Sequence, residues 1–388
     1  MKSGHKIRIC RVIARLNIGG PAIHVLNLSS GLDRDTFETM LLTGVVGPNE
    51  REMGYLAKGL GVKPVVIPGM GRDISPFRDV KSLLSLWHIM RQYKPHVVHT
   101  HTAKAGTLGR VAAALAGVPV IVHTFHGHVF HNYFPPLKSR CFRAIERVLS
   151  LLTTRIIAVS PQQREEIGGL IGAQRKMEDI RLGFDLSKFL APREKKMARK
   201  NLGLPGDKWI VGAVGRLAPV KNLVLFIDIA ERLSKERSDI LFVVVGDGED
   251  RQKLERLVRD KGLVDRVLFL GWQTDIERVY KAIDLLVLTS KNEGTPVAVI
   301  EAMASGCPVV AAPVGGVADL VKHDVTGLLA GPEDVDDFVN RVEQVLDKPE
   351  RRQRLVAKAR DFATSYYGLD RLLDDMSRLY INLVRVRA

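Results

Sequence analysis

Residues 292–312 read NEGTPVAVIEAMASGCPVVAA. In this short stretch the chain passes from a glycine-containing loop through a helix to an apolar strand. Thr295 stands where an N-cap belongs, Pro296 suits the first helical position, and Gly306 is placed to end the helix, which gives a span of 296–305. Two carboxylates occupy this unit. Glu293 sits in the loop, and Glu301 lies inside the helix, about 7 Å along its axis from Thr295–Pro296 at ~1.5 Å per residue. Val299, Ile300, Ala302 and Met303 surround Glu301 in sequence, and a lone glutamate amid such residues is expected to be buried and partnered. PVVAAP (308–313) has the unbroken apolar character of a strand in a parallel sheet covered on both faces.

The same unit recurs outward in both directions. Strands are expected at IRICRVIA (7–14), TMLLTGV (39–45), KPVVIP (63–68), HVVHTH (96–101), VPVIVHTF (118–125) and RIIAVS (155–160). A second series follows at WIVGAVG (209–215), ILFVVVG (240–246), RVLFLG (266–271), DLLVLTS (284–290) and PVVAAP. Amphipathic stretches such as VKSLLSLWHIMRQY (80–93) and VLFIDIAERLSKE (224–236) lie between them. Strand–helix alternation of this kind specifies a doubly wound α/β fold. The alternation breaks once, at LSKFLAPREKKMARKNLGLPGD (186–207), which is polar, basic and punctuated by Pro and Gly. The chain is therefore read as a Rossmann-like domain over 1–187, a linker over 188–207 and a second Rossmann-like domain over 208–365. A final helix, 366–388, is expected to pack back on the first domain.

Composition narrows the class. The 388 residues exceed one ordinary core, and 46% hydrophobic with 26% charged residues is the balance of a globular chain. No apolar run approaches the ~18 residues that span a bilayer. The N-terminus, interrupted by arginines, reads as a first strand and not as a secretion signal. Cys10, Cys141 and Cys307 are scattered, which argues against a disulfide framework or zinc ribbon and fits a reducing cytoplasm. The net charge of +15 is uneven: residues 1–190 hold 26 Lys and Arg against 13 Asp and Glu, so the excess sits in the first half. That half is expected to meet an anionic partner or to carry a solvated basic surface.

Ligands of open α/β sheets bind outside the carboxyl ends of the strands, so the loops there carry the chemistry. After the seventh strand, GRLAPVKN presents Arg216 and Lys221, a planar fork and a point charge suited to a diphosphate. A carboxylate such as Glu301 or Glu293 accepts hydrogen bonds from a vicinal diol, as acidic residues do for nucleotide ribose. The helix start after Thr295 adds free N–H groups and a positive dipole end.

Glu-Gly, a proline, a second Glu after seven intervening residues and then Ala-x-Ala-x-Gly-x-Pro-Val-Val resembles the signature of family-4 retaining glycosyltransferases. Asn17-Ile18-Gly19-Gly20-Pro21-Ala22-Ile23-His24, GRLAPVKN, VVVGDGED (243–250), DLLVLTSKNEG (284–294) and APVGGVADLV (312–321) are also family-like. The resemblance covers essentially the whole chain. It implies the GT-B fold, two Rossmann-like domains facing across a cleft, and transfer of a hexose from a UDP or GDP sugar to a glycan, lipid-linked or small-molecule acceptor in cell-envelope or polysaccharide biosynthesis. By the same resemblance Glu301 would bind ribose hydroxyls and Glu293 the transferred sugar, while Arg216 and Lys221 would neutralise the leaving diphosphate. Backbone amides at Gly294, Thr295 and Val297 and around Gly19 and Gly20 would face phosphate or sugar, and His126, in a His-Gly pair after the fifth strand, would lie near the anomeric centre. At the turn before the linker the family often has Asn-Gly-x-Asp, where this chain has Leu182-Gly183-Phe184-Asp185.

No cofactor and no metal are expected. His99, His101, His123, His126, His128 and His131 follow adjacent strands without a carboxylate or Cys beside them, so their pairs would have to converge in space to hold zinc. Asp33-Arg34-Asp35 and Asp334-Val335-Asp336 match Asp-x-Asp by letters but follow no expected strand. A nucleotide-sugar epimerase or hydrolase is the alternative on the same fold; it would need acid and base carboxylates in the first half, where no such pair stands out. Nucleic acid is not expected, since no recognition module accompanies the charge. PPLKSRCFRAIERVLSLLTTR (135–155) mixes basic and apolar residues, and is read either as a helix for an anionic membrane face or as one that packs its apolar stripe on its own sheet. A cytoplasmic enzyme, peripheral on the inner face of a membrane, follows from the first reading.

Overall fold

β-Branched runs with apolar residues on both faces cannot remain at a surface, and in this protein they form two all-parallel sheets. The computed structural model describes residues 6–17, 19–47, 52–71, 75–126, 136–192 and 194–387, without the side chains of 136–138. The first sheet holds β1 (Ile7–Ile13), β2 (Phe37–Thr43), β3 (Val65–Val66), β4 (Val97–His101), β5 (Val120–Phe125), β6 (Arg155–Ala158) and β7 (Met177–Asp179). The second holds β8 (Trp209–Val214), β9 (Ile240–Val245), β10 (Val267–Gly271), β11 (Leu285–Leu288), β12 (Val309–Ala311) and β13 (Leu328–Leu329). All eleven strands expected from the sequence are present, some of them shorter; β7 and β13 are additions, at two or three residues too short to show a pattern.

The strand orders are β3-β2-β1-β4-β5-β6-β7 and β10-β9-β8-β11-β12-β13, so each sheet reverses direction beside its own first strand. By contact density the chain divides into Met1–Phe184 with Leu369–Ala388, and Asp185–Gly368. The helix Leu369–Arg387 belongs to the first unit. Its Leu372, Met376, Leu379, Tyr380, Leu383 and Val384 join Ile7, Ile9, Phe37, Val97 and Val120 in one core, each such side chain worth roughly 1.5–3 kcal/mol on burial. From the same helix Arg371 donates to the carbonyls of Arg181 (2.7 Å) and Leu182 (2.8 Å), so the turn that lacks the family's asparagine is held from outside.

The stretch read as a linker, 188–207, is a correction. It contains helix Lys195–Asn201 and belongs to the second unit. The reason is a polar contact that the composition hides. Arg199 is only 3% exposed, and it donates to Asp284 Oδ2 and to the carbonyls of Ala282 (3.0 Å), Gly206 (2.9 Å) and Lys208 (3.0 Å). Asp284, 5% exposed at the foot of β11, also accepts from Lys195 and from the Ile210 amide (2.7 Å). A buried pair of this kind is costly to break from one side, because the surviving charge has no solvent. Asp284→Ala is expected to lower stability by about 3–5 kcal/mol in urea unfolding; a loss below 1 kcal/mol would show that the segment is tethered by other means.

Candidate functional site

In the second unit the strand order reverses between β8 and β11, and the carboxyl ends of those two strands open a crevice. The loop after β8 carries Arg216 and Lys221, and the loop after β11 carries Glu293. The loops are joined by the Lys291 amide to the Val220 carbonyl (2.8 Å) and by Thr289 Oγ1 to the Lys221 carbonyl (3.1 Å). Lys221 Nζ then donates to Glu293 Oε1 at 2.6 Å, and Ser290 Oγ donates to the same oxygen at 2.6 Å. The Glu293 side chain is 10% exposed and that of Lys221 25%. The Arg216 side chain is open to solvent, with its nearest acid, Glu249, at 3.8 Å. Arg216, Lys221 and Ser290 line one depression above β8 and β11.

Glycines permit this closeness. A Cβ on Gly316 would lie 1.8 Å from the Gly294 carbonyl oxygen, and one on Gly315 would lie 2.0 Å from that of Glu293. The Gly-Gly after β12 is therefore what lets the Glu293 loop settle, pinned by the Gly316 amide to the Glu293 carbonyl (3.0 Å). The VGDGED loop has the same use: a Cβ on Gly246 would meet the Gly215 carbonyl at 1.9 Å, next to Arg216.

The helix of the opening stretch spans Val297–Ala304, one residue later than its pattern suggests. Thr295 is not its N-cap, a correction: Pro296 takes that position with extended ψ, and its carbonyl accepts from the Val299 amide (3.0 Å). Gly294, Thr295 and Val297 thus lie at or before the opening of the helix. Gly306 does end it, at φ 67°, with Gly306 N–H to Met303 O and Cys307 N–H to Ala302 O. Glu301 is half-buried, and its Oε2 accepts from the hydroxyl of fully buried Tyr280 at 2.9 Å. Burial raises the Glu301 carboxyl to about 7; the nearby Glu277 adds to this and the Tyr280 bond opposes it. Sequence reasoning missed Tyr280 and Ser290, because neither carries a local signal and each meets its carboxylate only through folding.

In the first unit the loops after β1, β4 and β5 bring histidines together. Gly19, at φ 157°, precedes helix Gly20–Gly31, whose His24 points into the unit at 2% exposure. His101 Nδ1 and His126 Nε2 are hydrogen-bonded at 3.0 Å, and the His24 ring lies 5.6 Å and 5.0 Å from theirs. Burial holds His24 and His101 well below the ordinary imidazole range and His126 at about 3, so the cluster is neutral at physiological pH. A neutral His126 can either donate or accept a hydrogen bond. Ring nitrogens of His24, His101 and His126 lie within 4.8 Å of one another, the one group among the described residues that could hold a metal ion. A metal there would displace the proton that His101 and His126 share, and no carboxylate is in the group. His99 and His123 are engaged elsewhere, with Tyr380 (2.6 Å) and Thr124 (2.7 Å), and with Thr100 (2.8 Å). His128 and His131 lie outside the described residues, as does Ile18 of the Gly-Gly loop. The two Asp-x-Asp stretches have local duties: Asp33 accepts from Thr36 (2.5 Å), and Asp334 caps helix Val335–Leu346 through the Asp337 amide (3.0 Å).

Comparison with known proteins identifies the family and the fold. Residues 194–362 match the family described as glycosyl transferases group 1, and residues 18–188 match glycosyltransferase family 4. The chain is 34% identical to the Escherichia coli UDP-Gal:alpha-D-GlcNAc-diphosphoundecaprenol alpha-1,3-galactosyltransferase, across 99% of each chain. It is 28% identical to the D-inositol 3-phosphate glycosyltransferase of Actinosynnema mirum, across 93% of this chain and 92% of that one. The crystal structure of Anabaena HepE in complex with UDP and glucose superposes with a TM-score of 0.84 at 21% identity, covering 97% of this chain and 100% of that one. The chain belongs to the group 1 glycosyltransferases of family 4, has their two-domain GT-B fold, and is a glycosyltransferase.

An acid whose folded pKa lies above its ordinary 4.5 is stabilising when protonated. In the ligand-free protein the contribution of Glu301 is thus full below about 4.5 and lost as pH rises through about 7. Between pH 5 and 8 the parent is expected to lose on the order of 2 kcal/mol relative to Glu301→Gln in thermal unfolding. Parallel pH profiles for the two proteins would refute the burial of this carboxyl.

Proposed function

We propose that this glycosyltransferase moves a hexose from a UDP sugar, with retention at the anomeric carbon, to an acceptor carried on a lipid diphosphate during cell-envelope polysaccharide synthesis. The observation that carries the proposal is the bond of Lys221 and Ser290 to one oxygen of Glu293 at the switch point of the second sheet. Without ligand, Glu293 holds the Lys221 cation. A diphosphate entering beside Arg216 competes for that cation with more negative charge, and its arrival releases Glu293 to accept from hydroxyls of the attached sugar. Glu301 then accepts from the ribose diol. Ribose hydroxyls favour its ionised form, so nucleotide affinity rises with pH through about 7.

In this reading no covalent glycosyl-enzyme forms. The acceptor hydroxyl attacks the anomeric carbon on the face that the leaving phosphate quits, and its proton passes to a phosphate oxygen as the glycosidic bond forms. Charge on the departing diphosphate is met by Arg216, Lys221 and the amides of Gly294, Thr295 and Val297, without a divalent ion. His126, neutral and with Nδ1 lacking a partner among the described residues, offers a hydrogen bond to a sugar hydroxyl or phosphate.

The choice of UDP over GDP, and of a lipid diphosphate over a small molecule, follows the Escherichia coli relative, whose name gives UDP-Gal and a diphosphoundecaprenol acceptor. Against the epimerase or hydrolase reading, the groups that converge at His24, His101 and His126 among the described residues are imidazoles.

In thermal-shift titrations UDP is expected to raise the melting temperature. Lys221→Ala and Arg216→Ala should each weaken UDP by about 10- to 100-fold, the effect of about 1.5–3 kcal/mol for a charge-assisted hydrogen bond. UDP release from UDP-galactose should depend on added acceptor and survive EDTA. Failure of every UDP and GDP sugar to shift the melting temperature would overturn the donor site, and EDTA-sensitive release would overturn its independence of metal.

A further inference from the structure

Two arginines of the first unit are fully enclosed among the described residues, and they are treated differently. Arg110 Nη2 donates to both oxygens of buried Glu146, at 2.8 and 2.7 Å. Arg11, on β1 beside His99 of β4, is 0% exposed and meets no carboxylate among the described residues. Its Nη2 makes one long bond, 3.5 Å, to the hydroxyl of Tyr380 in the helix Leu369–Arg387. Its Nε and Nη1 have no partner among the described residues. A guanidinium is always charged and carries five N–H donors, so enclosing one without a counter-charge is costly.

The groups around Arg11 divide into those that are used and those that are not. Tyr380 accepts from Arg11, so its own proton goes to His99 Nδ1 (2.6 Å), and His99 Nε2–H then donates to Thr124 Oγ1 (2.7 Å). His99 is thereby spent. Both ring nitrogens of His24 and the Nε2 of His101 are buried with no partner among the described residues. Burial is the larger reason that His24, His99 and His101 stay neutral, and the Arg11 charge adds to it at all three. A metal ion on His24, His101 and His126 would share this ground with the guanidinium, cation against cation. An anion has the sign that the cluster lacks.

We propose that Arg11, His24 and His101 bind one halide ion, chloride in ordinary buffers, which accepts from the guanidinium and from one N–H of each ring. Enclosure sets the size of the ligand. With the three side chains 0%, 2% and 0% exposed, an ion among them carries no chain, which excludes a phosphate borne by a nucleotide or a lipid. Water would satisfy the donors and leave the charge unmatched. The ion also fixes tautomers. Donation from His101 Nε2–H leaves His101 Nδ1 to accept, so in the 3.0 Å bond His126 Nε2–H is the donor and neutral His126 presents a bare Nδ1. That nitrogen accepts from a hydroxyl. This last consequence rests on the reading of His126 beside the sugar; the halide does not.

The test is thermal unfolding of the full chain in sodium chloride or bromide against sodium gluconate at equal ionic strength. Each tenfold rise of halide above its dissociation constant is expected to lift the melting temperature of the parent by about 3–6 °C, and Arg11→Met to lose that rise. The variant keeps Arg216 and Lys221, so the difference between the two proteins cancels anion effects elsewhere. In crystals of the parent grown with bromide, anomalous scattering should place one bromide within hydrogen-bond reach of Arg11, a measurement that stands even where Arg11→Met fails to fold. Equal halide responses of parent and variant, or bromide found only on the surface, overturn the proposal. So does stabilisation by zinc with none by halide, which assigns the imidazoles to a metal. In ring 15N spectra of the parent in chloride, His126 Nδ1 is expected without a proton; a protonated Nδ1 overturns the tautomer assignment. Failure of UDP to bind would strike the donor reading and leave each of these results standing.

Discussion

A parallel sheet whose strand order reverses leaves, at the point of reversal, two carboxyl ends with no crossover helix between them. Every other feature of the second unit depends on this. β8 and β11 are neighbours in the sheet although more than seventy residues separate their loops, so Lys221 can reach Glu293. The backbone bond from Lys291 to Val220 and the Thr289 bond to Lys221 fix the two loops before any side chain is considered. Without the reversal the cation and the carboxylate would be ordinary surface charges, worth little to each other.

The geometry is made exact by absence of side-chain atoms. Gly246, Gly315 and Gly316 stand where a Cβ would fall about 2 Å from a carbonyl oxygen, so each close approach of backbone to backbone is available to glycine alone. The family-like glycine motifs thus have a local physical meaning: they are points at which the loops carrying Arg216 and Glu293 are pressed against neighbouring loops. Hydrophobic packing supplies the frame, and these contacts set the charged groups on it.

Although the first unit also buries the pair of Arg110 and Glu146, the polar groups at the two strand-order reversals are of different kinds. In the second, carboxylates are partnered: Glu293 by Lys221 and Ser290, Glu301 by Tyr280, Asp284 by Arg199 and Lys195. In the first, imidazoles gather and burial keeps them neutral, which lowers the cost of enclosing them. A neutral cluster suits hydrogen bonding to an uncharged hydroxyl, and paired carboxylates beside cations suit a charged nucleotide.

The sequence by itself determined the class of fold, because alternation of apolar strands with amphipathic helices has a short physical range that local patterns record. It also marked Arg216, Lys221, Glu293 and Glu301, since a charge next to an apolar strand end or inside an apolar helix is anomalous on its face. It did not determine which groups those residues meet. Tyr280 beside Glu301, Ser290 beside Glu293 and His24 beside His101 are products of strand order, decided by the packing of segments far apart in the chain. Nor could composition tell a linker from a docked helix at 188–207: the decisive atom pair joins Arg199 to Asp284, eighty-five residues away. Periodicity alone likewise left open which face of Pro136–Leu152 is buried. The helix is apolar on both sides, and only the tertiary structure places the sheet against one of them.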